Sequence, residues 1–273
     1  MPEIGIFLVP GAEDHEATIA QAIAADEAGL DYVAVQDHPY QRRFLDTWTL
    51  LAYLAAKTER IRLVPDVLNL PLRLPSVVAK SAASLDLLSD GRVELGIGAG
   101  AFWDAVEAFG GPRRTPKESV DALEEAIAIL RAFWSGEPSV TVEGEHYRVT
   151  GAKPGPQPAH PIGLWIGAYG PRMLRLTGRL ADGWLPSIGR LNAEDIGAMH
   201  ARIDEAAKRV GRDPAAIKRV ANTPALEGEP DTWADQLLRA AELGFEALMV
   251  PVPEDDPVGF IRRLGEDVAP GIR

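Results

Sequence analysis

Four short stretches of this chain combine residue types that bind ligands or move protons with the glycines and prolines that shape a pocket. Asp37-His38 follows the apolar run Tyr-Val-Ala-Val at 32–35. Titratable residues just past the carboxyl end of a buried strand usually face a ligand, because the loops there are free of packing duty. His38 changes charge near neutrality, so it is the candidate general acid or base. A histidine on a loop is also commonly a hydrogen-bonded scaffold residue, and both readings stand. Asp66-Val67 opens a second stretch that runs through Asn69 and Pro71 to Arg73 and Pro75. Its prolines fix φ and remove amide donors, which suits a wall for a planar ring edge and equally an ordinary stiff connection.

In the third stretch, Gly96-Ile-Gly98-Ala99-Gly100-Ala101, alternate glycines let a ligand approach the backbone closely. It is no dinucleotide fingerprint: Phe102 and Trp103 follow, and no third glycine opens a helix at the required place. The fourth, Gly167-Ala168-Tyr169-Gly170-Pro171-Arg172, places proline at a first helical position. Such a start leaves free amides and a positive helix pole, and a phosphate fits it better than a plain capped helix explains it. Arg172, Arg175 and Arg179 are the local cationic exception in an acidic chain, although Arg175 and Arg179 can simply cover the helix surface.

Short apolar runs alternate with amphipathic segments along the chain, the pattern of βα units and a parallel sheet. Strands are predicted at 4–9, 32–35, 61–65, 93–97, 163–167, 183–186, 217–221 and 247–250. Helices are predicted at 16–28, 47–58, 76–88, 119–134, 171–180, 193–210, 231–243 and 257–264. Eight alternations imply an α/β fold, a closed (β/α)8 TIM barrel. The segment 139–149 has period-two apolar positions around Gly144, so residues 138–161 read as a hairpin and Pro-rich loop inserted within one domain spanning 1–273. Trp184, at the start of the sixth strand, reads as a core residue.

Composition narrows the function. The 273 residues are 46% hydrophobic and 25% charged, enough for a large core with no disordered signature. A net charge of -12 with scattered Lys and Arg argues against nucleic acid. Without cysteine there is no thiolate chemistry, disulfide or Cys-ligated zinc, and a reducing cytoplasm is compatible. The first ten residues lack a basic region and a long apolar run, so neither a signal peptide nor a membrane span is expected.

Asp37-His38, Asp66-Val67, the run from Leu85 through Asp90-Gly91-Arg92 to Gly98 and Gly100, Gly170-Pro171-Arg172 and Ala181-Asp-Gly-Trp184 together resemble the bacterial-luciferase-like oxidoreductases, in order and over nearly the whole barrel. The Asp-His pair most resembles the branch that uses the deazaflavin coenzyme F420; flavin mononucleotide (FMN) branches often carry other residues there. The resemblance implies that the ring lies across the carboxyl-terminal mouth of the barrel, with Asp37 near it and His38 beside its reactive face. It implies a non-prolyl cis peptide at Asp66-Val67, Gly98 to Gly100 under the ring edge or ribityl chain, and a phosphate on the amides of Gly167 to Arg172. It also implies a homodimer.

Two departures matter. Sugar-phosphate dehydrogenases of that branch carry an acidic Glu after the second glycine, where this chain has Ala101, and the aromatic that follows their Asp-His has no clear equivalent near Gln41-Arg42-Arg43. A glucose-6-phosphate dehydrogenase is therefore not the expectation. A small apolar or planar substrate is, with Arg42 and Trp103 among its pocket walls. The competing classes are an FMN-dependent monooxygenase on the same fold, a non-catalytic cofactor-binding barrel, and a metal-dependent hydrolase or aldolase using Asp37, His38 and His160. The last lacks any HxH or HExxH spacing, and no metal is expected.

Overall fold

Each apolar run read as a strand forms one. The computed structural model describes residues 1–272. The strands are β1 Glu3–Leu8, β2 Tyr32–Val35, β3 Arg62–Pro65, β4 Leu68–Asn69, β5 Leu95–Gly98, β6 Val140–Val142, β7 Val149–Ala152, β8 Leu164–Ile166, β9 Gly183–Trp184, β10 Lys218–Asn222 and β11 Ala247–Pro251. The helices are α1 His15–Glu27, α2 Thr47–Ala55, α3 Pro75–Leu88, α4 Trp103–Ala108, α5 Pro116–Phe133, α6 Pro171–Leu180, α7 Ala193–Arg209, α8 Pro230–Glu242, α9 Pro257–Arg263 and α10 Ala269–Ile272. The large sheet runs β3-β2-β1-β11-β10-β9-β8-β5-β4. Leu63 closes it by donating to the Arg92 carbonyl (2.8 Å) and accepting from the Glu94 amide (3.1 Å). The fold is a (β/α)8 barrel.

Alternation along the strands divides the core. Tyr32, Ala34, Val64, Trp165, Leu185, Val220, Ala247 and Met249 fill the barrel interior. Their neighbours Val33, Val35, Leu63 and Leu248 point outward into the layer shared with the helices. At the amino-terminal end, Glu3 pairs with Arg62 and Lys218 and accepts from the Tyr32 hydroxyl (2.9 Å). Asp26, at the end of α1, accepts from the amides of Glu59, Arg60 and Ile61 and so sets where β3 begins. That is also why α2 stops at Ala55 rather than running to residue 58: the chain must turn to present those amides.

Four further elements depart from expectation. Helix α5 begins at Pro116, not 119, because Thr115 and Glu118 form a capping box with proline at the first position. The two-residue strand β4 returns beside β5 right after Val67. The short helix α4 occupies what was read as loop, and a π-turn at Leu264–Val268 leads into α10.

The predicted hairpin is present, with β6 and β7 antiparallel. Its tip is fixed from α5, where the Glu125 carboxylate accepts from the amides of Glu145, His146 and Tyr147 (2.8 Å each). Among the described residues, no helix is long and apolar enough to cross a membrane.

Candidate active site

The carboxyl ends of the strands surround a cleft of about 1270 Å³. Asp37 and His38 reach it from β2, Asp66, Val67 and Asn69 from the β3–β4 bend, and Gly98 to Phe102 from β5. Gly167 and Tyr169 to Arg172 follow β8, Arg190 lies beyond β9, and Asn222 ends β10. Twelve of the positions named from sequence thus share one wall system. Ala168 does not: it is buried behind the wall, where its carbonyl accepts from the Trp184 indole (2.9 Å). Trp184 is fully buried, as its core reading required.

Two substrate-pocket expectations are corrected. Arg42 sits exposed on the turn before Phe44 and does not line the cleft. Trp103 turns back against Gly100, where an added Cβ would lie 2.7 Å from its ring. The cause is Phe102, which takes a left-handed φ of 55° as α4 starts. Its ring meets the His38 ring edge-on at 5.4 Å and takes the wall position that Trp103 was expected to hold.

His38 is half-buried, and its Nδ1 lies 2.7 Å from the Tyr40 hydroxyl. Tyr40 is thus an aromatic neighbour of His38 that the sequence reading did not single out, and its position two residues past His38 was the available signal. Burial lowers the pKa of His38, Arg190 lowers it further and Asp37 opposes both, with the net shift downward. Burial, and then the Asp37 charge, push Tyr40 up to about 12. The phenol therefore keeps its own proton, and its oxygen accepts from Nδ1–H in the imidazole tautomer that leaves the Nε2 lone pair free to take a proton.

The Asp37 carboxylate is turned to the protein. It is 2% exposed. It accepts from Arg73 Nη2 (2.9 Å), Arg73 Nε (3.1 Å) and the Asn69 amide (2.8 Å). Arg73 continues to Asp46 (2.6 Å). Asp37 thus clamps the 66–73 wall to the end of β2.

The Asp66-Val67 bond is cis, as the resemblance implied. Asp66 is 7% exposed, and Asn222 donates to its Oδ1 (3.1 Å). Asp66 Oδ2, Asn69 Oδ1 and Asn222 Oδ1 are all buried with no partner among the described residues. Burial, with one neutral donor opposing it, raises Asp66 to a pKa of about 7. Asn222 was missed, though a polar residue closing a strand was a readable signal.

The glycine reading is sharpened too. A Cβ at Gly96 would lie 2.2 Å from the Pro65 carbonyl, and one at Gly98 would lie 2.9 Å from Val67 Cγ2. Part of what approaches this strand so closely is therefore the protein's own 65–67 bend.

No side chain caps α6, whose N-cap is Gly170 with Pro171 following. The first-turn amides have no intrahelical partner. Space beside Gly170 is open. Arg172 stands there, donating to the Lys117 carbonyl (2.9 Å) and pairing with Asp121. Arg179 pairs with Glu124 (2.9 Å) on the helix surface instead. His160 bonds Asp86 (2.8 Å) outside the cleft lining, so it does not join Asp37 and His38 in a metal site. No group of three potential metal ligands occurs among the described residues.

A strand-end cleft with a histidine, a flat apolar wall, orphaned buried polar atoms and an uncapped helix start fits a planar ring that carries an anionic tail. Residues 2–255 match the luciferase-like monooxygenase family, and the chain belongs to it. It is 30% identical over 313 residues to the F420-dependent glucose-6-phosphate dehydrogenase of Beutenbergia cavernae, covering 93% of each chain. It is 33% identical over 249 residues to the F420-dependent hydroxymycolic acid dehydrogenase of Mycobacterium tuberculosis, covering 88% of this chain and 66% of that one. Its fold matches an F420-dependent secondary alcohol dehydrogenase solved with an F420-acetone adduct, with a TM-score of 0.88 and 18% identity over 100% of both chains.

Proposed function

We propose that this chain is an F420-dependent oxidoreductase that transfers hydride between the coenzyme and a small apolar or planar organic substrate. The observation that carries the reading is His38, half-buried at the cleft with its proton placed by Tyr40, in a chain that matches an F420-dependent dehydrogenase over 93% of both lengths. When bound, the deazaflavin ring supplies the hydride chemistry.

The protein's part is orientation and protons. The uncapped start of α6 and Arg172 would hold the phosphate, and Asp66, Asn69 and Asn222 would meet the ring's polar atoms. Neutral His38 takes the proton released when an alcohol is oxidised, and returns it in the reverse direction. Tyr40 keeps the imidazole aligned for either task. Ala101 and the 62% exposed Phe102 support an apolar substrate over a sugar phosphate, since neither offers a charge or a hydrogen bond.

The absence of cysteine supports work in a reducing compartment such as the cytoplasm. Leu74, Val77 and Leu88, 63%, 56% and 82% exposed at and along α3, support self-association as a homodimer. Light scattering of the purified protein reads that directly.

Titration of the protein with F420 and separately with FMN, followed by absorbance and fluorescence, tests the assignment. Micromolar binding of F420 is expected; binding of FMN alone would move the chain to a flavin monooxygenase, and binding of neither would end the reading. With a verified substrate, His38→Ala should keep coenzyme affinity and lose turnover by about 10²- to 10⁴-fold.

A further inference from the structure

Ala101 leaves this site without the acid its sugar-oxidising relatives place after the second glycine. The cleft holds another carboxyl. Asp66 stands at the bend between β3 and β4, buried, in the same wall as His38. Its single side-chain hydrogen bond comes from Asn222 (3.1 Å), a neutral donor. Arg73, the cation of this bend, is already held by Asp37 and Asp46. Oδ2 has no donor at all, and two amide oxygens of the same cleft, Asn69 Oδ1 and Asn222 Oδ1, are equally unpartnered.

An ionised carboxylate in that position would be a buried charge with neither a counter-ion nor a full set of hydrogen bonds, which costs several kcal/mol. A neutral carboxylic acid removes the charge and converts Oδ2 from an orphaned acceptor into a donor.

We propose that Asp66 is a second acid of this site, a carboxyl that holds its proton far above the usual carboxylate range and donates a hydrogen bond from Oδ2 to a carbonyl of the bound ligand, while Asn69 and Asn222 accept from an adjacent N–H. The ligand class that satisfies all three groups is a planar heterocycle with a lactam or imide edge, C=O beside N–H. A deazaflavin has such an edge, so the proposal rests on the coenzyme reading and adds to it the group that recognises the ring. The raised pKa of Asp66 agrees, since burial is its leading cause. The other charged or titratable groups on the cleft are Asp37, His38, Tyr40, Lys117, Tyr169, Arg172 and Arg190. Burial lowers the pKa of His38 and pushes Tyr40 up to about 12, so both shift away from the pKa of Asp66.

The test measures the dissociation constant of F420 from pH 5.5 to 9 for the wild type and Asp66→Asn. Wild-type affinity is expected to weaken by up to about tenfold per pH unit above neutrality, as the donor is lost and a charge appears. Asp66→Asn keeps a neutral donor, so the additional loss of affinity should vanish; ionisations of the ligand act on both proteins alike and cancel in the ratio. A ratio that does not change with pH overturns the proposal while leaving F420 binding intact. Infrared difference spectra of the ligand-free wild type, recorded across the same range, decide independently of any variant's folding. A protonated-carboxyl band that fades through neutrality is expected, assigned by its absence in Asp66→Asn or, if that variant does not fold, in Asp66→Ser. A carboxylate already ionised at pH 5.5 overturns the proposal. Should F420 fail to bind at any pH, the coenzyme reading falls, and the infrared band still reports on Asp66.

Discussion

The Tyr40 hydroxyl lies 2.7 Å from His38 Nδ1, and the two rings sit 5.5 Å apart at the edge of the cleft. That bond holds the imidazole in one orientation and one tautomer. Its loss in Tyr40→Phe should cost about 1 kcal/mol of alignment, the net value of a hydrogen bond. We expect kcat with a verified substrate to fall roughly fivefold to tenfold, while F420 affinity changes less than twofold. A matched loss in both would mean that Tyr40 serves binding rather than the proton-carrying ring.

Asp66 makes a separate prediction about stability. Its pKa in the folded protein, about 7, lies above its ordinary 3.8. A raised value contributes stability that is fully present below the unfolded pKa and is lost as pH rises through the folded one. Between pH 4 and pH 8 the wild type should therefore lose thermal stability relative to Asp66→Asn. The difference is on the order of a few kcal/mol, and Tm against pH reads it. A constant gap would place the unfavourable charge elsewhere.

The barrel was legible because apolar runs and glycine-ended helices alternate at barrel spacing, and Asp37-His38 was legible because strand ends face ligands. The environment of those residues was not. Asp66 owes its proton to burial, which outweighs the opposing hydrogen bond from Asn222, 156 positions away. Phe102 rather than Trp103 meets His38 because one backbone φ turns left-handed, and no periodicity encodes that choice. Arg42, on a polar turn, had no such packing to pull it inward. Tyr40 was readable from its spacing alone, once the search starts at the histidine rather than beyond it.

Asp37 and Arg73 form the clamp between β2 and the cleft wall, with the Asp37 side chain wholly buried. Removing one partner of a buried pair leaves the other uncompensated, a loss of about 3 to 5 kcal/mol. Arg73→Met should lower Tm by many degrees. Arg73→Lys should recover only part of the loss, because Asp37 is gripped by two guanidinium nitrogens and an ammonium offers no such fork. Full rescue by lysine would reduce the clamp to a point charge.

Gly96 and Gly170 should respond in opposite ways to the same change. Alanine at Gly96 drives a methyl against the Pro65 carbonyl, backbone that cannot step aside, whereas beside Gly170 there is open space. We expect Gly96→Ala to destabilise by more than about 2 kcal/mol or to prevent folding, in the range of overpacked cores. Gly170→Ala should leave Tm close to the wild-type value. Comparable denaturation midpoints for the two would contradict the close approach of the 65–67 bend.

The anion end of the cleft is tested by separating charge from ring. Arg172 stands at the uncapped start of α6, braced by the Lys117 carbonyl and Asp121, so its guanidinium is already oriented before a ligand arrives. A preoriented charge loses little entropy on binding. Arg172→Ala should therefore weaken F420 by about tenfold, near 1.4 kcal/mol. The same substitution should barely change affinity for the coenzyme's ribityl-deazaflavin moiety, which keeps the ring and lacks the phosphate. If both ligands weaken equally, Arg172 supports the cleft wall. If neither changes, the helix amides hold the phosphate alone, since their partial charges need no side chain to attract an anion.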